Sequence, residues 1–167
     1  MSAFLHFQGV LTELHETPTY FALTCQKQDH DDIIILNIAK ETLLFNSTTY
    51  ESLQASDLKP GFFIHAYVHK HQPATRIFPP QITPTLVVAN EKDLFYGVKV
   101  GTYNAATSLI ETDLRLNIGP NTKMLAEAGQ NIEAEQLDGH DIAVFFKMST
   151  RSIPPRTTPN MIILLDD

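Results

Sequence analysis

Hydrophobic residues along this chain occur in short runs, most of which alternate with polar residues and end at turn residues. Such runs are typical of β-strands, because successive side chains of a strand face opposite sides of the sheet. In the first half the pattern predicts strands at residues 7–14, 20–26, 33–38, 42–45, 62–71 and 85–89. Helix signals are sparse, and residues 124–130 form one short candidate. The sequence therefore predicts an all-β protein.

The two halves of the chain share short motifs in the same order. Residues 75–84 and 150–159 both carry Thr-Arg, then Pro-Pro, then Thr-Pro at matching positions. Further matches are Leu36-Asn37-Ile38 with Leu116-Asn117-Ile118, Thr42 with Thr122, and Gly61 with Gly139. Repetition of this kind indicates an internal duplication. It predicts two tandem domains, at residues 1–89 and 90–167.

Each half is expected to form a small β-barrel. Five or six short strands in such a length suit a closed or partly open barrel like the oligonucleotide/oligosaccharide-binding (OB) fold, and a β-sandwich is the competing architecture. Residues 56–61 predict one helical turn in which Ser56 is the cap, Leu58 plugs the barrel end and Gly61 adopts a left-handed conformation. The apolar runs at 86–89 and 161–165 predict that the two barrels are packed on each other.

Composition narrows the function classes. The chain has 167 residues, 43% hydrophobic residues and a net charge of −7, which opposes non-specific binding to nucleic acid. No apolar run is long enough for a membrane span. The N-terminal sequence lacks the features of a signal peptide, so we expect a cytoplasmic protein, or one at the cell surface if a leader was removed. The lone Cys25 is expected to be a buried small hydrophobe.

Each Pro-Pro segment contains an arginine, Arg76 in the first half and Arg151 in the second. Adjacent prolines force an extended backbone and place such a segment at a sheet edge. Arginine can bind several carbonyl groups or a carboxylate at once. The favoured interpretation is that each arginine fixes its loop to its own barrel. The alternative is two equivalent anion sites.

The motifs resemble those of a known repeat. Leu116-Asn117-Ile118 with Thr122, followed by Thr-Arg-Ser-Ile-Pro-Pro at 150–155, is similar to a small β-barrel repeat in uncharacterised proteins of Gram-positive bacteria, often at the cell surface. The first half departs from it by Ile77 and Phe78 in place of Ser-Ile. The resemblance implies a bacterial source and brings no known activity.

One predicted strand carries three histidines on a single face. Strand alternation places His65, Tyr67, His69 and His71 together, and the matching face in the second half includes Phe145. Three imidazoles at this spacing could bind zinc, and aromatic rings beside basic side chains could bind single-stranded nucleic acid. The favoured interpretation is a solvated strand face, because no cysteine or carboxylate lies next to it in sequence.

The sequence favours a protein that is not an enzyme, without deciding the point. It has no Gly-x-Ser-x-Gly, no Cys-x-x-Cys and no phosphate-binding glycine loop, so we expect no catalytic residue and no cofactor. We expect a non-catalytic binding or protein-interaction module whose partner, a protein or small ligand, meets the groove between the barrels or the Pro-Pro loops. Candidate binding residues are Arg76, Arg151, Tyr67 and Phe145.

The sequence is also compatible with two other functions. One is metal binding or single-stranded nucleic-acid binding at the face of His65, His69 and His71, with nucleic acid the less favoured ligand. The other is self-association of the duplicated form.

Overall fold

A computed structural model describes residues 4–27, 32–70, 79–93, 97–126 and 130–165. The chain divides into two compact units, Phe4–Phe95 and a second unit that begins at Tyr96. Each unit contains one seven-stranded sheet. The prediction of an all-β protein is therefore confirmed.

The first unit contains strands β1 to β7, of which β1 is the longest at 13 residues. The strand order across its sheet is β4-β7-β5-β1-β2-β3-β6. Two pairings, β3 with β6 and β4 with β7, are parallel, and the other pairings are antiparallel. The bounds are β1 Phe4–Glu16, β2 Phe21–Lys27, β3 Ile33–Ile38, β4 Leu43–Asn46, β5 Phe63–His69, β6 Gln81–Ile82 and β7 Leu86–Asn90.

The second unit contains strands β8 to β14 in the order β11-β14-β12-β8-β9-β10-β13. When each unit's strands are counted from its own first strand, the two orders are identical, and the parallel pairs fall at the same places. The bounds are β8 Gly97–Asn104, β9 Leu109–Ile110, β10 Leu114–Leu116, β11 Lys123–Leu125, β12 Asp141–Phe146, β13 Arg156–Thr157 and β14 Met161–Leu164.

Alternating burial explains why these segments are strands. In β3, Ile34, Leu36 and Ile38 are buried and enter the core, while the residues between them are more exposed. β-Branched side chains suit such a half-buried surface. One core cluster in the first unit takes residues from all seven strands and from the helical turn, so the whole sheet contributes to a single core.

Strand β1 bends where it passes from one partner strand to the other. It pairs with β5 up to Val10 and with β2 from Gly9 onward, and a register shift between Leu11 and Glu13 marks a β-bulge. A bulge bends its strand and increases the local twist. Gly9 is required here, because a Cβ at this position would lie 2.4 Å from the Gln26 carbonyl oxygen.

A short helical turn contributes to the core of the first unit. It is a 3₁₀ helix at Ala55–Asp57, and the next residue, Leu58, is 1% exposed and belongs to the core. Gly61 has φ +100°, so the predictions for Leu58 burial and for the left-handed glycine are confirmed. The prediction that Ser56 is the cap is wrong. The N-cap is Gln54, two residues earlier, and its backbone N–H donates a hydrogen bond to the Asp57 carboxylate at 2.8 Å.

The helix candidate at residues 124–130 is also wrong where the structure describes it. Met124 and Leu125 belong to β11, which pairs in parallel with Ile162 and Ile163 of β14. Partner-strand hydrogen bonds have overridden a weak local helix preference. Among the described residues the structure contains no helix whose length and apolarity would let it cross a bilayer.

In each unit, a threonine from the turn between two strands forms a hydrogen bond to the segment between two other strands. In the first, Thr42 Oγ1 accepts from the Ala39 N–H at 3.1 Å and donates to the Pro84 carbonyl at 3.1 Å. In the second, Thr122 Oγ1 accepts from the Gly119 N–H at 3.2 Å and donates to the Pro159 carbonyl at 2.8 Å. We call each arrangement a threonine clasp. The clasp lies between the parallel pairs β3–β6 and β4–β7 in the first unit, and between β10–β13 and β11–β14 in the second.

The hydrogen-bonded sheets are open. Each order ends at two outer strands, β4 and β6 in the first unit and β11 and β13 in the second, which do not pair with each other. The ladders therefore do not by themselves close into barrels, and the small barrels expected from the sequence, closed or partly open, stay a prediction. The predicted packing of the two halves on each other stays a prediction.

Replacing the clasp hydroxyl with a methyl group should destabilise the protein. In Thr122→Val the Gly119 N–H and the Pro159 carbonyl lose a partner at a site where Thr122 is only 8% exposed. The expected loss is about 1–3 kcal/mol in the free energy of unfolding, measured by urea denaturation.

Thr158→Val is the matched control, because Thr158 is exposed and its hydroxyl has no hydrogen bond to the described residues. Its free energy of unfolding should be within about 0.5 kcal/mol of that of wild type. Equal stability of the two variants would show that the clasp contributes nothing.

Candidate binding site

A groove of about 620 Å³ lies in the second unit beside the loop that joins β12 to β13. We call residues 147–155 the Pro-Pro loop. The groove collects side chains from this loop, from the end of β10 and from the segment between β13 and β14. Its lining consists of Asn117, Lys147, Met148, Ser149, Thr150, Arg156, Thr157, Thr158 and Asn160.

The charge of this lining is opposite to that of the whole protein. Lys147 and Arg156 are its ionisable residues, and no aspartate or glutamate is among the described residues that line it. The whole chain has a net charge of −7. The remaining polar members are amides and hydroxyls, which donate and accept hydrogen bonds. The groove is thus a locally cationic site on an acidic protein.

Hydrogen bonds fix the shape of the Pro-Pro loop. Thr150 N donates to the Arg156 carbonyl at 2.8 Å, and Arg156 N donates to Thr150 Oγ1 at 3.0 Å. The Ser152 hydroxyl lies 2.6 Å from Thr150 Oγ1 and donates to the Pro154 carbonyl at 3.0 Å. The Thr157 hydroxyl donates to the Met148 carbonyl. Both ends of the loop are therefore attached to the start of β13.

The same loop exposes two large apolar side chains. Met148 is 81% exposed and Ile153 is 99% exposed. The other exposed large hydrophobic residues among the described parts of the chain are at most 45% exposed. Exposed apolar side chains beside a groove are typical of interaction surfaces.

The predicted binding residues lie in different environments. Arg76 is outside the described residues. Arg151 is exposed on the Pro-Pro loop, and its guanidinium makes no hydrogen bond or ion pair with the described parts of the chain. Tyr67 is 8% exposed and Phe145 is fully buried, so neither ring presents a face to a ligand in this structure.

Met148 and Ile153 were not singled out from the sequence. A methionine or isoleucine is usually a core residue, and only the path of the loop turns these two outward. The available signal was their position within or next to the repeated Thr-Arg-x-x-Pro-Pro segment.

The predicted histidine face is a stacked cluster rather than an open row. His6 on β1 lies between His65 and Tyr67 on β5, with ring centroids 4.9 Å and 4.7 Å away and interplanar angles of 17° and 12°. His6 Nε2 lies 2.8 Å from His65 Nδ1, so the N–H of one ring donates a hydrogen bond to the ring nitrogen of the other. His69 contacts Phe4 instead, with centroids 4.8 Å apart.

The metal hypothesis gains no support from this cluster. His71 lies outside the described residues, and within the described ranges no group of three or more His, Cys, Asp or Glu side chains is placed to hold a metal ion. The assignment of His65, His69 and His71 to zinc stays a prediction.

Burial controls the ionisation of this cluster. It lowers the pKa of His65 from 6.5 to about 4, with a further lowering by His6 and a partial opposite effect of Asp93. Burial also lowers the pKa of His6 and raises that of Tyr67 to about 12. The neutral imidazole pair is therefore the form that the fold favours. Cys25 is buried as expected, and burial raises the pKa of its thiol to about 12.

A second groove, of about 340 Å³, lies in the first unit between the β1–β2 turn and the start of the helical turn. Its lining mixes the acid Glu16 with the base Lys40 and includes apolar residues such as Leu44. It has no excess of either charge and therefore indicates no ligand class.

No family model, no curated protein and no solved structure matches this chain. The resemblance to the β-barrel repeat of Gram-positive bacteria stays a prediction.

The histidine cluster should make stability depend on pH. A histidine whose folded-state pKa is below 6.5 binds fewer protons folded than unfolded, so stability falls as pH is lowered from about 6.5 towards about 4. After allowance for partial solvent exposure, His65 should account for about 1–2 kcal/mol of this loss.

The measurement is urea unfolding of wild type and of His65→Gln at several pH values between about 4 and 6.5. His65→Gln should remove most of the dependence of the free energy of unfolding on pH. His15→Gln, at the opposite end of β1, is the control and should keep it. If His65→Gln kept the pH dependence of wild type, His65 would not be its cause.

Proposed function

We propose that this chain is a non-catalytic protein-interaction module whose contact surface is the Pro-Pro loop with its adjoining groove. The observation that carries the proposal is the exposure of Met148 and Ile153, at 81% and 99%, on a loop held by hydrogen bonds. Two apolar side chains on a fixed backbone can be buried by a partner without first ordering the loop.

The composition of the surface supports a protein partner. Methionine and arginine are enriched in protein interfaces, and methionine adapts its shape to different partners. An apolar tip beside a polar groove provides both an anchor and hydrogen-bonding groups for orientation. Nucleic acid is less well supported, because no aromatic side chain lines the groove within the described residues, and single strands bind largely by stacking.

We further propose that each unit is an OB-like barrel and that the units arose by duplication. If β3 with β4, and β6 with β7, are each counted as one interrupted strand, the first unit has five strands. Its pairings then run in a complete circle, since the parallel pairs β3–β6 and β4–β7 join the same two strands. The identical strand order of the second unit supports a common origin.

This architecture is consistent with a binding role at the Pro-Pro loop. In an OB fold, ligands bind the outer face of the second and third strands and the loops beside it. In the proposed barrel, the Pro-Pro loop joins the fourth strand to the fifth, and Asn117 lies in the interruption of the third strand, directly after β10. The groove therefore occupies the part of the barrel that carries ligands in this class of fold.

Peptide selection tests the proposed surface. A phage-displayed library of random peptides is panned on the immobilised full chain, and enriched peptides are synthesised for fluorescence anisotropy. We expect them to bind Met148→Ser/Ile153→Ser at least about tenfold more weakly than wild type, because burial of each apolar side chain contributes about 1.5 kcal/mol or more.

Leu5→Ser/Ile33→Ser is the matched control. It also removes two exposed aliphatic side chains, which are 45% and 36% exposed in the first unit. This control should bind the peptides as wild type does. An unproductive selection, or equal binding by the Pro-Pro loop variant, would refute the proposed surface.

A further inference from the structure

Two arginines lie side by side on the outer face of the second unit. Arg115 of β10 and Arg156 of β13 are direct partners in a parallel pair, and the next pair is Leu116 with Thr157. Leu116 and Thr157 are both 3% exposed and point inward. Since strand side chains alternate, Arg115 and Arg156 project together from the opposite face. Two positive charges are therefore held on neighbouring strands, roughly 5 Å apart at the backbone.

This pair is not neutralised by the rest of the described chain. Neither guanidinium makes a hydrogen bond or ion pair with a described residue, and the Arg115 Nε–H is buried without a partner. The acidic residue nearest to Arg115 in sequence, Asp113, forms an ion pair with Lys99 at 2.8 Å. Like charges that face each other across strands destabilise a sheet, and a buried unpaired donor adds to the cost.

The charge pair is specific to the second unit. The equivalent parallel pair in the first unit is Ile35 with Gln81, which carries no charge. The fold therefore does not need two arginines at this position. A feature that the fold does not need, and that costs stability, is expected to have a ligand.

From these observations we propose that the groove binds an acidic peptide segment of a partner protein, with a carboxylate of that segment bound by Arg115 and Arg156. The inference rests on the proposed function and names its partner. Arg156 lines the groove with Lys147, and planar guanidinium groups bind carboxylates through paired hydrogen bonds. Apolar residues that flank the carboxylate on the peptide contact Met148 and Ile153.

The apolar residues on the loop favour a peptide over other anions. A free inorganic anion would satisfy the arginines but leave Met148 and Ile153 exposed. A nucleic-acid strand would meet a chain of net charge −7 without an aromatic side chain in the described groove lining on which to stack. An acidic, hydrophobic segment matches both the charge and the apolar tip.

The test uses the full chain and defined probes. A fluorescent decapeptide that alternates aspartate with leucine is compared with one that alternates asparagine with leucine, with oligothymidylate and with inorganic phosphate as a competitor. We expect the aspartate peptide to bind and Arg115→Gln/Arg156→Gln to weaken it about tenfold or more, since two charge-assisted contacts are lost. Binding should also weaken as salt is raised.

Two further measurements separate recognition from folding. Lys59→Gln/Lys123→Gln removes the same total charge from exposed positions outside the groove and should bind like wild type. The arginine variant should have a Tm equal to or above that of wild type, because it relieves repulsion. A lower Tm would mean that the arginines support the fold and would overturn the inference.

The remaining outcomes also decide the question. Equal binding of the aspartate and asparagine peptides would overturn the inference while leaving the proposed protein-interaction surface intact. Tighter binding of oligothymidylate would overturn it in favour of nucleic acid, and full competition by millimolar phosphate would reduce the site to a simple anion site. If neither these peptides nor any library-selected peptide bound, the proposed function would fail as well.

Discussion

The architecture of both units depends on how two interrupted strands are held in register. In the first unit these are β3 with β4, and β6 with β7. Thr42 and Thr122 each connect a tight turn to the carbonyl of a proline, a residue that cannot itself donate a ladder hydrogen bond. The two parallel pairs of a unit lie at opposite ends of its hydrogen-bonded strand order, and the clasp connects them directly. The threonine clasp therefore gives a reason why Thr42 and Thr122, and the prolines at 84 and 159, recur at matching places in the two halves.

The sequence predicted the features that depend on local chemistry. The strands, the glycine turn at Gly61 and the buried Leu58 follow from alternation, backbone freedom and the shape of a short helix, all of which can be read within a few residues. Features that depend on distant partners were missed. Met124 and Leu125 became a strand because β14 lies beside them. The helix begins after Gln54 rather than after Ser56, because Gln54 and Asp57 form a capping box.

The candidate site was harder to predict for the same reason. The Pro-Pro segment was identified from its repetition, but the exposure of Met148 and Ile153 depends on the path of the loop, and the burial of Phe145 depends on the strands around it. The pairing of Arg115 with Arg156 joins residues that are far apart in sequence. No periodic pattern marks such a pair, because each arginine by itself fits an ordinary exposed strand position.

The mutual hydrogen bonds between Thr150 and Arg156 have a thermodynamic consequence. A loop that is already ordered loses little conformational entropy when it is covered, so more of the contact energy remains as affinity. A few side chains can then suffice for a reversible complex. Differences in affinity among related ligands of such a preformed surface arise mainly in the dissociation rate, because encounter requires no rearrangement of the loop.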